Sequence, residues 1–301
     1  MLAIQVRGLI KKYPKKIAVD GIDLEVRTGE IFALLGPNGA GKTTTVEILE
    51  GYRNRDGGEV NVLGEDPGNL GKRSGLWRNR IGIVLQSTKD AEDLTVKEVV
   101  SHFANYYKNP RNPNQVIDEV GLTEKMDSRI ETLSGGQRRR LDVALGIIGN
   151  PEILFLDEPT TGLDPQARHL VWDGLRRLIK SGKTLILTTH FMDEADRLCD
   201  RLCVLDRGKI IALGSPKSLI ESNIEPVVVE LFGEGVRAWA DQCGRHLSNR
   251  VEITGETVFC YTTSAEVVME SLKDWPQLRA MRRAANLEDV FIKLTGRDIR
   301  D

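Results

Sequence analysis

Ile31-Phe-Ala-Leu-Leu35-Gly36-Pro37-Asn38-Gly39-Ala40-Gly41-Lys42-Thr43-Thr44 is the stretch whose reading decides the fold. Ile31–Leu35 is an uninterrupted apolar run that reads as a buried strand, and Thr43–Leu49 reads as a helix. Between them stands a loop with glycines at positions 36, 39 and 41. Glycine lets backbone N–H groups turn inward around an anion, and the start of the following helix adds a partial positive charge. The pattern also places a lysine where it reaches the outer phosphates of a nucleotide and a hydroxyl suited to magnesium. Residues Gly36, Pro37, Asn38, Gly39, Ala40, Gly41, Lys42, Thr43 and Thr44 are therefore the candidate phosphate contacts.

Working outward, Ile4, Val6 and Leu9 open one strand, and Ile22, Leu24 and Val26 alternate in another. Val60 and Val62 extend the pattern, and Ile81–Leu85 forms a strand ending at Gln86. From about Thr95 to Asn150 the chain reads as helical, broken near Pro110 and Pro113. Strands return at Ile153–Leu156, Thr184–Leu187 and Leu202–Leu205, separated by helical stretches near Gln166–Ile179 and Phe191–Leu198. This alternation predicts a largely parallel sheet with helices on its faces.

A boundary falls around Ser215–Glu225, where Pro216 and Pro226 flank a short helix. We divide the chain into a first domain of residues 1–222, with a helical part at about 90–150, and a second of 223–301. The second reads strand, helix, strand, strand, helix, strand, with Gly255-Glu256 turning the central hairpin. A last helix starts at Asn286, with Asp289 placed for a capping box and Leu287, Val290, Phe291 and Leu294 on one apolar face.

Composition excludes several classes. Lys and Arg number 42 against 44 Asp and Glu, so the formal charge of −2 offers no whole-protein attraction for nucleic acid. The apolar runs are too short to span a bilayer, and the start is strand-like rather than a secretory signal. The expectation is a cytoplasmic protein whose membrane role needs a partner. Cys199 and Cys203 have no second pair at metal-site spacing, so the four cysteines read as structural thiols.

Two further motifs carry chemistry. Ile153-Leu-Phe-Leu-Asp157-Glu158 is an apolar strand delivering two carboxylates at its end, the edge where ligands bind in open α/β sheets. Asp157 suits a magnesium partner and Glu158 the orientation of attacking water. Leu133-Ser134-Gly135-Gly136-Gln137 opens a helix continuing Arg138-Arg139-Arg140. Ser134 reads as an N-cap, and the arginines read either as an anion site or as a solvated basic turn, because cations there oppose the helix dipole.

Together these motifs resemble the ATP-binding cassette (ABC) transporter ATPases over about residues 3–220. The resemblance implies an ABC-type α/β nucleotide-binding domain, with an antiparallel β subdomain and a helical signature subdomain, followed here by a small α+β domain. It implies ATP and Mg2+ as ligands and ATP hydrolysis as the activity. Tyr13 is then the aromatic stacking on adenine, and Gln86 touches magnesium and water and senses the membrane subunit. Ser134, Gly135, Gly136 and Gln137 are the signature contributed to a partner's nucleotide, Asp164 is the dimer-interface aspartate, and His190 contacts the γ-phosphate. By the same resemblance, Thr43, Gln86 and Asp157 form the metal set, and Glu158, His190 and Gln86 the catalytic set. Taken alone, Tyr13 is equally a strand-end aromatic, Gln86 a polar strand terminus and His190 a structural histidine. His102, His169 and His246 read as structural or surface residues.

The run Leu133–Ala144 and the ending Asn286–Gly296 are similar to the branch containing daunorubicin-type drug-resistance and nodulation-factor exporters. That branch implies a homodimer beneath separately encoded membrane subunits, and efflux of drug-, lipid- or polyketide-like cargo. Importer ATPases, whose C-terminal extension usually reads as a β-barrel, and soluble non-transport ABC ATPases are the alternatives. Phe103, Tyr106 and Tyr107 form an aromatic cluster that reads either as a membrane-subunit contact or as core.

Overall fold

The computed structural model describes residues 1–84 and 93–296. They fall into two compact units, Met1–Gly214 and Ser215–Asp301. The sequence boundary lay later, at 222/223; the helix Pro216–Asn223 belongs to the second unit because it packs on that unit's last helix.

In the first unit, β1 (Leu2–Tyr13), β2 (Lys16–Arg27) and β4 (Gly57–Val62) form an antiparallel sheet in the order β2-β1-β4. A second sheet contains β3 (Ile31–Leu35), β5 (Ile81–Val84), β6 (Ile153–Asp157), β7 (Thr184–Thr189), β8 (Arg201–Asp206) and β9 (Lys209–Gly214). Its order is β5-β6-β7-β3-β8-β9, parallel except for the β8/β9 pair. Every residue of β3 and β7 is buried, as expected for parallel strands covered on both faces. One apolar cluster joins the two sheets: Val6, Leu9 and Leu24 from the antiparallel sheet meet Phe32, Phe155 and Ile186 from the parallel one. Each such side chain removed from water contributes about 1.5–3 kcal/mol.

The helices of this unit are α1 (Lys42–Leu49), α2 (Ser74–Arg78), α3 (Val96–Ala104), α4 (Pro113–Glu119), α5 (Gly135–Ile147), α6 (Pro165–Lys180) and α7 (Met192–Leu198). Their starts are written locally. Ser134 and Gln137 close a capping box on α5, and Asp164 caps α6 with Pro165 in its first turn. Because β7 lies between β6 and β3, the residues following these three strands emerge side by side on one edge.

The second unit starts with α8 (Pro216–Asn223) and β10 (Val227–Phe232), followed by α9 (Val236–Trp239), a π turn and α10 (Arg245–Leu247). Next come β11 (Arg250–Thr254), β12 (Thr257–Thr262), α11 (Ala265–Ser271), β13 (Arg279–Ala284) and α12 (Leu287–Thr295). The sheet is antiparallel in the order β11-β12-β10-β13, giving the expected βαββαβ arrangement. Gly255 turns the hairpin at φ 60°, in the left-handed region that glycine enters without strain. Val229, Leu231, Trp239 and Val268 fill one side of the sheet, while Val228, Tyr261 and Val290 form a smaller cluster with Ile224.

Candidate active site

The glycine loop leaves β3 at Gly36, where an added Cβ would stand 2.3 Å from the Leu205 carbonyl oxygen. Gly41 sits at φ 109° at the start of α1, and a Cβ there would meet the Ala18 carbonyl oxygen at 2.4 Å. Both positions therefore require glycine. Lys42 is 5 % exposed, and its ammonium donates to the carbonyls of Gly36 (2.7 Å) and Pro37 (3.1 Å). Burial pulls its pKa down, opposed by the carboxylates of Glu158 and Asp157. Thr43 is exposed and Thr44 half-buried at the mouth of the loop. Lys16 donates to the Gly39 carbonyl at 2.5 Å, so the β1–β2 hairpin is tied to the loop. Tyr13 stands at the end of that hairpin, 37 % exposed, with Arg53 and Lys11 over its ring at 5.6 and 5.8 Å.

The neighbouring strands supply the acids and the histidine. Glu158 has φ 46°, a conformation costing a non-glycine residue about 1–3 kcal/mol, and the loop around it is held from several sides. Its N–H donates to the carbonyl and the hydroxyl oxygens of Thr188, both at 3.1 Å. Arg139, buried on α5, donates to the carbonyls of Asp157 and Pro159 at 2.8 Å each. The Glu158 carboxylate contacts His190 Nδ1 at 3.1 Å, accepts from the Thr161 hydroxyl at 3.1 Å and lies 4.0 Å from the Lys42 ammonium. Asp157 accepts from the Thr188 hydroxyl. Lys42, Asp157, Glu158 and His190 thus gather from three strand ends. A buried cation on a glycine loop at a helix start fits a polyphosphate, and the hydroxyl and carboxylate oxygens of Thr43 and Asp157 are the donor type a hard divalent cation takes. Gln86 lies outside the described residues.

The signature segment is placed by packing. Gly136 lies against α6, where an added Cβ would come within 2.6 Å of the Ala167 Cβ. Asp164 accepts from the Ala167 N–H at 2.9 Å and is otherwise exposed. The arginines make contacts that neither reading of the sequence includes. Arg138 donates to the Ile130 carbonyl and Arg140 to that of Gly121, while Arg139 is buried, so all three staple carbonyl groups.

Comparison with known proteins bears directly on this arrangement. The ABC transporter family matches residues 19–161, and the C-terminal domain of the nodulation factor export protein NodI matches residues 237–296. A Nod factor export ATP-binding protein I from Rhizobium sp. (strain N33) is 46 % identical, over 99 % of this chain and 98 % of its own. Its counterpart in Ralstonia nicotianae is 45 % identical over 99 % and 95 %. The chain belongs to the ABC transporter ATPases. Among solved structures, cbiO1 of Clostridium perfringens, part of the ABC transporter complex cbiONQ, aligns with a TM-score of 0.67 at 27 % identity over 81 % of this chain and 97 % of its own. Members of this family bind and hydrolyse ATP, and the relatives matched end to end are named for export, which favours an exporter ATPase over the importer and soluble alternatives.

In this ABC ATPase, Phe103 and Tyr107 line a groove of about 550 Å³ together with Glu50, Tyr52, Leu141 and Leu145. Tyr106 instead is 69 % exposed. His102 contacts the Tyr106 hydroxyl, His169 the Pro165 carbonyl, and His246 is exposed. The four cysteines are free, and no group of three or more metal-ligating side chains occurs among the described residues. No helix among them is long and apolar enough to cross a membrane. Sequence reasoning missed Arg139, whose role depends on a partner loop about twenty residues away.

Proposed function

We propose that two copies of this chain sandwich two ATP molecules and power export through separate membrane subunits at the cytoplasmic face of the membrane. The observation that carries this reading is the convergence of Lys42, Glu158 and His190 on one sheet edge. Lys42 neutralises the outer phosphates, Glu158 orients and polarises the attacking water, and His190 bridges Glu158 to the γ-phosphate. Thr43, Asp157 and Gln86 would hold Mg2+, which would supply charge neutralisation on the phosphates. Tyr13 stacks on adenine, while Ser134, Gly135, Gly136 and Gln137 close over the partner's ATP and Asp164 meets the partner copy. The Phe103–Tyr107 groove receives a segment of the membrane subunit, and the C-terminal unit supports dimer assembly or regulation. Drug-, lipid- or polyketide-like molecules are the cargo class, and the Nod factor named for the relatives is the first candidate to assay as a stimulator of ATP turnover.

Mixing two inactive variants tests the shared site. Lys42→Ala damages the phosphate loop, and Ser134→Arg blocks the signature. In a mixed dimer both lesions fall in one site and leave the other intact. With free exchange, independent sites recover about a quarter of wild-type turnover. Sites that must fire together still show ATP-induced dimerisation of the mixture. Failure of both readouts, with subunit exchange confirmed, rejects the sandwich.

A further inference from the structure

Glu194 is fully buried on α7, four residues after His190. Its Oε1 accepts from the Thr160 hydroxyl at 2.8 Å and from the Trp172 indole N–H at 3.2 Å. Those donors are buried too, at 0 % and 3 % exposure. One oxygen thereby joins the loop after β6, the middle of α6 and the start of α7. Its Oε2 makes no well-formed hydrogen bond among the described residues, although the Thr189 hydroxyl lies near enough to favour the charged form. Burial outweighs these hydroxyl and indole donors and raises the carboxyl above its ordinary pKa.

The knot sits where the site needs it. Thr160 follows Glu158 by two residues, and the hydroxyl of the next residue, Thr161, bonds the Glu158 carboxylate. The left-handed backbone at Glu158 persists only while its surroundings over-determine it. Arg139 grips the loop's carbonyls and Thr188 its N–H. Neither of these residues lies on the helical segment that follows His190, whereas Glu194 does. An apolar side chain in its place leaves the Thr160 hydroxyl and Trp172 N–H without an acceptor and frees the loop from α7.

We propose that Glu194 is a positioning residue for hydrolysis, holding the Glu158 loop against the His190 segment so that those two side chains stay in contact. The proposal rests on the roles given above to Glu158 and His190.

The test uses the full-length chain and steady-state ATP turnover. Glu194→Leu lowers kcat at least about tenfold with KM for ATP within about threefold, because the phosphate loop is untouched. Glu194→Gln keeps an acceptor for both donors and restores turnover to within about threefold of wild type. In a His190→Ala background, Glu194→Leu costs less than about twofold more, because the pair it positions is already broken. Wild-type kcat in Glu194→Leu, or a loss that multiplies fully with that of His190→Ala, overturns the proposal. Should Glu194→Leu not fold, Thr160→Val is expected to show the same kcat-selective, non-additive loss and Trp172→Phe little. Equal effects from those two variants mark simple packing and overturn it. Wild-type turnover in both Glu158→Gln and His190→Ala overturns the reading of the pair, and this proposal with it.

Discussion

Glu50 makes the stability of this protein depend on pH in a way that one substitution removes. It caps the C-terminal end of α1, is 9 % exposed, and lines the groove with Arg78, Tyr107 and Asp142. Burial, then the carboxylates of Asp157 and Glu47, pushes its carboxyl from the ordinary 4.5 to about 8. The folded chain keeps this proton up to about pH 8, while the unfolded chain releases it near pH 4.5. Between those values folding takes up a proton. The contribution is therefore fully present below pH 4.5 and is lost as pH rises through about 8. At about 1.4 kcal/mol per pH unit, the whole window corresponds to at most about 5 kcal/mol. Glu50→Gln preserves the shape and cannot ionise. Urea unfolding followed at several pH values should show the variant within about 1 kcal/mol of wild type at pH 5 and about 3–5 kcal/mol more stable at pH 8. Parallel pH profiles for the two proteins, with equal m-values, would refute the buried-acid account.

Two further outcomes follow from the site and the domain division. Glu158→Gln should bind ATP and lose turnover, with ATP holding dimers closed, because the amide keeps the side chain's shape but is no base; near-normal turnover removes Glu158 from its role. Truncation after Gly214 should leave nucleotide binding measurable while weakening dimerisation or transport, since the phosphate loop and acidic strand lie wholly in the first unit; a truncated chain that folds but binds no nucleotide contradicts the division.

The parts of this protein legible in the sequence are those that a short segment imposes on itself. The phosphate loop is readable because strand, glycines, lysine and helix are contiguous, and the structure adds only what the glycines avoid, the carbonyls of Leu205 and Ala18. The C-terminal unit is readable because strand alternation and Gly255 specify its hairpin locally. Asp289 marks where this stops. Its capping box with Asn286 follows from spacing, yet the same buried carboxylate also accepts two bonds from Arg283 and one from Tyr261. Nothing within a few residues of Tyr261 announces that bond, because its partner lies on another element. Arg138, Arg139 and Arg140 show the same limit: a run of arginines suggests solvent or an anion, whereas each also donates to a carbonyl on a distant element that the run itself does not announce. Glu50 and Glu194 go further, since an acid's burial depends on what packs over it, and only then do its pKa and its partners acquire meaning. Local motifs therefore locate the chemistry, while long-range polar contacts hold it in geometry. Substitutions at Arg139 and Glu194 probe that second layer without removing any group proposed to touch ATP.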